Sequence, residues 1–131
     1  MIPMLKLAGE IAKPTIDNDP RNFWVGCVGI RDDGTQVSAK NGSVFSTDVD
    51  NYQLLPSSHA EGRVLKKLGK NGIIYVARIS KSDGGYAMAR PCGMCQVRIK
   101  SFDVNLVHYT INKTHYGIWI PDTDEDRVYK L

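Results

Sequence analysis

The sequence predicts an α/β fold in which a mixed five-stranded sheet is flanked by helices. Runs of β-branched and aromatic residues predict the strands, and segments with apolar residues at helical spacing separate several of them. The chain has 131 residues, 42% of them hydrophobic and 24% charged, as is typical of a soluble globular protein. This length predicts one domain over residues 1–131.

The N-terminal third predicts a helix followed by a strand hairpin. Residues 4–13 carry a rough apolar stripe at helical spacing, and Pro14 ends the predicted helix. Residues 23–30 predict a buried strand that contains Cys27, which we interpret as a buried structural thiol. A hairpin turn at 32–34 leads to the antiparallel partner strand at 35–40.

The middle of the chain predicts a long loop followed by a helix. Loops as long as residues 43–58 are often functional in a compact domain, and Ser58 is the expected N-cap of the helix. One face of this helix is apolar, and the opposite face is basic. We interpret the basic face mainly as solvated, with phosphate contact as the alternative; it comprises Arg63, Lys66, Lys67 and Lys70.

The C-terminal half predicts three further strands and a helix. Strands are predicted at 73–79, 105–111 and 116–120, and a helix after Pro91 that places Cys92, Cys95, Ile99 and Phe102 on one face. Only a few residues separate the last two strands, whereas a parallel connection needs roughly a dozen. We therefore expect an antiparallel hairpin there. Residues 122–126 read as a solvated acidic segment, followed by a short helix or a frayed end.

Two short segments carry the chemistry. His59, Cys92 and Cys95 offer the nitrogen and sulfur ligands that zinc takes in tetrahedral sites. Three protein ligands leave a fourth position for water, as in catalytic rather than structural zinc sites. Glu61 lies two residues after His59 and is suited to move protons beside the metal.

The pattern resembles the zinc-dependent cytidine deaminase superfamily, whose signature is H-x-E…P-C-x-x-C. It stands here as H-A-E at 59–61 and P-C-G-M-C at 91–95. The resemblance implies a cytidine deaminase-like fold and one zinc per chain, with hydrolytic deamination of cytosine to uracil. It also implies that Glu61 is the general acid and base, and that the backbone N–H of Ala60 holds the base carbonyl. The compact chain would suit a small phage or bacterial cytosine deaminase.

The predicted last hairpin indicates which base, cytosine or adenine, is deaminated. By resemblance, an antiparallel final pair is the arrangement of free-nucleoside cytidine deaminases and of some bacterial DNA-deaminating toxins. The branches that act on adenosine in tRNA, on deoxycytidylate, and in vertebrate polynucleotide editing place the last strand parallel. We therefore expect cytosine rather than adenine as the base, and this feature does not separate a free nucleoside from a polynucleotide.

Seven residues are predicted to contact substrate. Asn41 resembles an asparagine that many family members place against the sugar or base, although Asn-Gly is also a turn signal. Residues 41–58 lack the glutamate that nucleoside-specific members usually pair with it. Trp24 and Tyr116 are the expected stacking aromatics, whereas Phe23 is expected in the core. The remaining candidates are Ala60, Arg90, Lys113 and His115, and the last hairpin tip is expected at the pocket mouth.

Three functions are weighed against each other. The preferred one is deamination of cytosine in single-stranded DNA or RNA, in keeping with the net charge of +3. The second is salvage of free cytidine, deoxycytidine or their monophosphates. The third is a non-catalytic zinc module, which needs a fourth ligand from Cys27, His108 or His115, and which has no use for Glu61.

The sequence also predicts where the protein works. No apolar run approaches the roughly 20 residues of a membrane helix, and the first residues do not read as a signal peptide. We therefore expect a cytoplasmic protein with no membrane partner. The oligomeric state is left open.

Overall fold

The computed structural model describes residues 2–42 and 59–131. The predicted loop at 43–58, with its N-cap Ser58, lies outside the described residues. Within them, the chain forms three helices and seven strands, and each helix is followed by two or three strands. The helices are α1 (Pro3–Ala12), α2 (Ala60–Leu68) and α3 (Gly93–Ser101). The strands are β1 (Trp24–Ile30), β2 (Gln36–Lys40), β3 (Ile73–Ile79), β4 (Tyr86–Ala87), β5 (Leu106–Thr110), β6 (His115–Ile120) and β7 (Glu125–Lys130).

The strands form one mixed sheet in the order β2-β1-β3-β5-β6-β7, with β4 paired to β3. The pair β3–β5 is parallel, and every other pair is antiparallel. The predicted mixed sheet and the antiparallel hairpin β5–β6 are thus confirmed. In this hairpin Tyr109 lies opposite Gly117.

The predicted strand number is too low, because β4 and β7 were not foreseen. Strand β4 has only two residues. Strand β7 replaces the predicted solvated segment and short helix, and it pairs with β6 from Ile120↔Glu125 to His115↔Lys130. All six of its residues are exposed, so it lacks the alternation of buried and exposed residues that identifies a strand. Charged residues are typical of such an edge strand.

Helices cover both faces of the sheet. Successive residues of a strand point to opposite faces, and the core divides accordingly. Val28 and Ala77 pack with Ala8 of α1 on one face, whereas their neighbours Cys27 and Val76 pack with α2 and α3 on the other. In the described residues no helix is long and apolar enough to cross a membrane.

Candidate metal and catalytic site

His59 stands at the start of α2. It is the N-cap residue, with the extended backbone angles φ −80° and ψ 154°, so the helix begins one residue later than a cap at Ser58 would place it. Ala60 and Glu61 follow in the first helical turn and are buried. The first turn therefore directs the ligand and the carboxylate into the same part of the structure.

The two cysteines stand at the start of α3. Cys92 is the N-cap and is exposed, whereas Cys95 lies in the first turn and is fully buried. Gln96 donates a hydrogen bond from Nε2 to the carbonyl oxygen of Pro91 at 2.8 Å, which holds the chain just before the helix. Helices α2 and α3 lie on the same face of the sheet. Their first turns meet there, because His59 at the start of α2 contacts Cys95 of α3.

The three ligand atoms converge. The Nδ1 atom of His59 lies 3.2 Å from the sulfur of Cys95 and 3.7 Å from that of Cys92, and all three ligand atoms lie within 4.8 Å of one another. A tetrahedral zinc with ordinary bond lengths separates a nitrogen from a sulfur ligand by about 3.5 Å. Donor types and spacing therefore fit one zinc ion.

Thr110, at the end of β5, holds the chain that leads into the cysteine motif. Its hydroxyl accepts a hydrogen bond from the backbone N–H of Arg78 at 3.1 Å and donates one to the carbonyl of Ala87 at 2.7 Å. Its own carbonyl accepts from the N–H of Ala89 at 2.8 Å. Residues 87–89 are thereby fixed to the two parallel strands, which positions the segment that enters α3.

Burial sets the protonation of the site. Desolvation lowers the pKa of His59, which favours the neutral imidazole that binds metal. Desolvation raises the pKa of Cys95, so zinc binding has to displace a proton from this thiol. Desolvation also raises the pKa of Glu61, opposed by a hydrogen bond with Cys95. A raised pKa suits a carboxylate that must both accept and donate protons near neutrality.

These side chains open into a cavity of about 390 Å³. One part of its wall is formed by residues of the zinc motifs, His59, Ala60, Glu61 and Cys92. Apolar and cationic side chains surround its mouth, namely Phe23, Met88, Met94, Arg78 and Arg90. Phe23 and Met88 are each 49% exposed.

Asn41, a predicted substrate contact, lines the cavity, and its side chain forms hydrogen bonds mainly within the protein. Its Oδ1 accepts hydrogen bonds from the Nη1 of Arg21 at 3.1 Å and from the N–H of Val25 at 3.0 Å. Its Nδ2 donates to the carbonyl of Phe23 at 2.8 Å. Asn41 thus shapes the cavity wall, and its second amide hydrogen has no partner among the residues that the structure describes.

Arg90 also lines the cavity, and its side chain forms an ion pair with a residue of β7. Its Nε donates to Asp126 Oδ2 at 2.6 Å, and the hydroxyl of Tyr109 donates to the other oxygen of Asp126 at 2.5 Å. Burial and this carboxylate raise the pKa of Tyr109 to about 12. The unforeseen strand β7 thus anchors a residue of the cavity rim.

Four predicted substrate residues do not line the cavity. Trp24 alternates with Val25, which does line it, so its side chain points to the opposite face of the sheet. Lys113 pairs with Asp83 at 2.9 Å, which holds the β5–β6 turn against the turn after β3 rather than at the cavity mouth. The other two are His115, bonded to Thr114, and Tyr116, stacked on Tyr129.

Phe23 and Arg78 were missed and lie at the mouth. Phe23 was expected in the core, but it is exposed, and the guanidinium of Arg78 lies 4.6 Å from its ring centroid. Strand alternation could have identified both. Phe23 shares its side of the chain with Val25 and Cys27, and Arg78 shares its side with Val76, which packs against α2 and α3.

A closed zinc module finds no fourth ligand in the described part of the chain. The cluster of three ligand atoms includes none of the candidates for a fourth ligand, which were Cys27, His108 and His115. Cys27 is fully buried, as expected for a structural thiol. His108 stacks on Tyr75 with ring centroids 4.3 Å apart. The three-ligand arrangement is that of a catalytic site.

Comparison with known proteins agrees with this geometry. The family model described as the cytidine and deoxycytidylate deaminase zinc-binding region matches residues 3–111. No curated protein and no solved structure matches significantly. The matched region covers most of the chain and includes His59, Glu61, Cys92 and Cys95. The chain therefore belongs to the family of zinc-dependent cytidine and deoxycytidylate deaminases.

Proposed function

We propose that the protein hydrolytically deaminates cytosine to uracil within single-stranded DNA or RNA. The observation that carries this proposal is the open mouth of the cavity, where Phe23 and Met88 are half exposed beside Arg78 and Arg90. Exposed apolar side chains around a polar site usually mark the contact surface of a larger ligand. We expect the reaction in the cytoplasm, where cysteine ligands stay reduced.

The residues of the site have separate tasks. His59, Cys92 and Cys95 would hold the zinc ion, which would activate a water molecule as the nucleophile at neutral pH. Glu61 accepts the proton of that water, delivers a proton to the ring nitrogen of cytosine, and then protonates the departing amine, which leaves as ammonia. The backbone N–H of Ala60 holds the base carbonyl, and the buried walls exclude bulk water from the carboxylate.

Cytosine is the proposed base because of the sheet topology. Strands β5 and β6 are antiparallel, as in the cytosine-acting members that this chain resembles. Adenine-containing oligonucleotides should therefore give no inosine. Inosine from adenine with no uracil from cytosine would overturn this part of the proposal.

A single strand is favoured over a duplex and over a free nucleoside. Aromatic side chains contribute about 1–3 kcal/mol per stacked base in single-strand binding, and Phe23 is placed to make such a contact. A duplex must first expose its target base at a cost of a few kcal/mol. Free nucleosides would leave the apolar mouth uncovered.

Salvage of a free cytosine nucleoside or nucleotide is the second candidate. A cavity of about 390 Å³ lies within the usual range of about 300–1,000 Å³ for small-molecule sites. Against it stands the absence of glutamate from residues 41–58, since nucleoside-specific relatives are expected to pair one with Asn41.

Product analysis on four substrates separates the candidates. Zinc-loaded protein is incubated with cytidine, deoxycytidine, a single-stranded oligonucleotide and the corresponding duplex, and uracil is quantified. We expect the single strand to react fastest, with a rate that falls as salt increases at subsaturating substrate. Brisk turnover of free deoxycytidine with no oligonucleotide activity would replace this proposal by the salvage function.

A further inference from the structure

A second cavity of about 260 Å³ adjoins the catalytic one. The two cavities share three lining residues, Asn22, Phe23 and Arg78. Beyond this shared wall, the second cavity is lined by Ser80, Lys81 and Ser82 of the turn after β3. A ligand whose base lies beside Glu61 can therefore extend past Phe23 into a cavity lined by both apolar and cationic side chains.

Arg78 is partly buried in the shared wall, and its guanidinium has no polar partner among the described residues. In the described residues its side chain makes neither an ion pair nor a hydrogen bond, and its contact is the ring of Phe23 at 4.6 Å. The backbone N–H alone is bonded, to Thr110. Its five guanidinium N–H donors therefore have no acceptor in the part of the chain that the structure describes, while the Phe23 ring contacts the guanidinium.

Lys81 adds a second positive charge. Its ammonium donates to the carbonyl oxygen of Arg21 and lies 5.5 Å from the centroid of the Trp24 ring. No carboxylate of the described residues pairs with it, and no acidic residue is among those that line the second cavity. The nearby Asp83 is paired with Lys113 at 2.9 Å. Among the described residues, the second cavity is therefore lined by two cations and by no carboxylate.

We propose that Arg78 binds a phosphate group of the cytosine substrate in this second cavity, to which Lys81 contributes a further positive charge from the wall. The planar guanidinium matches a phosphate with two parallel hydrogen bonds. The hydroxyls of Ser80 and Ser82 lie 2.8 Å apart and are bonded to each other, so they are not counted as donors to the phosphate. The proposal rests on the proposed function, because it takes the cytosine base to lie beside His59 and Glu61. The phosphate belongs either to a free nucleoside monophosphate or to the backbone of a single strand.

Binding measurements with Arg78→Gln test the proposal. Zinc-loaded protein carrying Glu61→Gln, which prevents turnover, is titrated with deoxycytidine, its 5′-monophosphate and a single-stranded oligonucleotide with one cytosine. Adding Arg78→Gln should weaken phosphate-bearing ligands by about tenfold or more and leave deoxycytidine within twofold. The slope of log affinity against log salt should fall by about one for the oligonucleotide. The ligand that loses affinity identifies the source of the phosphate.

Further variants serve as a control, as a conservative replacement and as a substitute for Arg78→Gln. Arg127→Gln is the matched control, because it removes an exposed arginine of β7 that pairs with Glu125 and lines neither cavity. Arg78→Lys keeps the charge but loses the paired hydrogen bonds, so it should bind with intermediate affinity. If Arg78→Gln does not fold, Lys81→Gln takes its place, with a smaller loss expected for the same ligands.

The outcomes separate this proposal from the proposed function. Equal losses for deoxycytidine and the phosphate-bearing ligands, or no loss for any ligand, would overturn phosphate binding by Arg78. If Arg78→Gln leaves oligonucleotide deamination unaffected, phosphate binding by Arg78 is overturned, whereas the proposed function stands. If the monophosphate binds in an Arg78-dependent way and the oligonucleotide does not bind, the phosphate site is supported and the single-strand substrate is rejected.

Discussion

Glu61 is a buried carboxylate with no cation paired to it in the described structure. It is 6% exposed, and burial raises its pKa. Neither packing nor an ion pair explains a charged residue in the first turn of α2, two residues after His59. The proposed proton transfer beside the metal would account for it, because that role requires the residue to alternate between its protonated and deprotonated forms.

Replacing Glu61 by Gln should abolish most of the activity. The side chain keeps its size but no longer accepts a proton, and the loss of a general acid–base is typically about 10²–10⁴-fold in rate. Zinc content and thermal stability should stay near those of the wild type. The measurement is uracil production beside metal analysis, with the exposed Glu10→Gln on α1 as control. A rate within a few-fold of the wild type would remove Glu61 from the mechanism.

Residue type and spacing predicted the zinc ligands, but the rim residues required the three-dimensional structure. His59, Cys92 and Cys95 are identified by the ligands that zinc takes, whatever the fold. Phe23 and Trp24 are neighbours of similar chemistry, and only the direction of β1 decides which of them faces the cavity. Proximity to a loop favoured Trp24, whereas alternation with Val25 excludes it.

At the scale of elements, the connection from α1 to β1 forms the wall beside Asn41. Arg21 is buried and makes contacts with three parts of the chain. Its guanidinium pairs with Asp19 at 2.9 Å, donates to the carbonyl of Ala12 at the end of α1 at 2.8 Å, and donates to Asn41. Asp19 is therefore the counter-ion that allows an arginine to lie inside this wall.

Asp19→Asn should destabilise the fold in a pH-dependent way. The hydrogen bond from Arg21 lowers the pKa of Asp19 in the folded protein. Its stabilisation is thus present above the unfolded pKa of about 3.9 and is lost as pH falls through the folded pKa. Breaking a buried pair costs about 3 kcal/mol, so the free energies of unfolding of wild type and variant should differ most above pH 5 and converge below pH 4.

Urea denaturation across this pH range measures the effect. Asp103→Asn is the matched control, because Asp103 is 62% exposed and lies 4.0 Å from Lys70, a surface pair worth at most about 1 kcal/mol. A difference between wild type and Asp19→Asn that is small or independent of pH would contradict the role given to this pair.

Elements with a buried face were predictable, and those without one were not. The strands β1, β3 and β5 carry apolar residues on the faces covered by helices. The short connection between β5 and β6 allowed only an antiparallel pair. Strand β7 is exposed along its whole length and rich in charge, so its register against β6, which brings Asp126 to Arg90, is visible only in the structure.

On the scale of the whole molecule, the parallel pair β3–β5 brings the two motifs together. Helix α2 precedes β3 and α3 precedes β5, and both helices pack on one face of the sheet. Their first turns therefore meet, although His59 and Cys95 are 36 positions apart in sequence. The central claim is that this meeting forms one zinc site on which deamination depends.

Metal content measured with deamination in the same samples tests that claim most directly. The wild type should hold one zinc per chain and produce uracil. Cys95→Ala removes a buried ligand and should lose both zinc and activity. Cys27→Ala removes a buried thiol outside the cluster and should retain both. Full zinc occupancy with undiminished uracil production in Cys95→Ala would contradict the account.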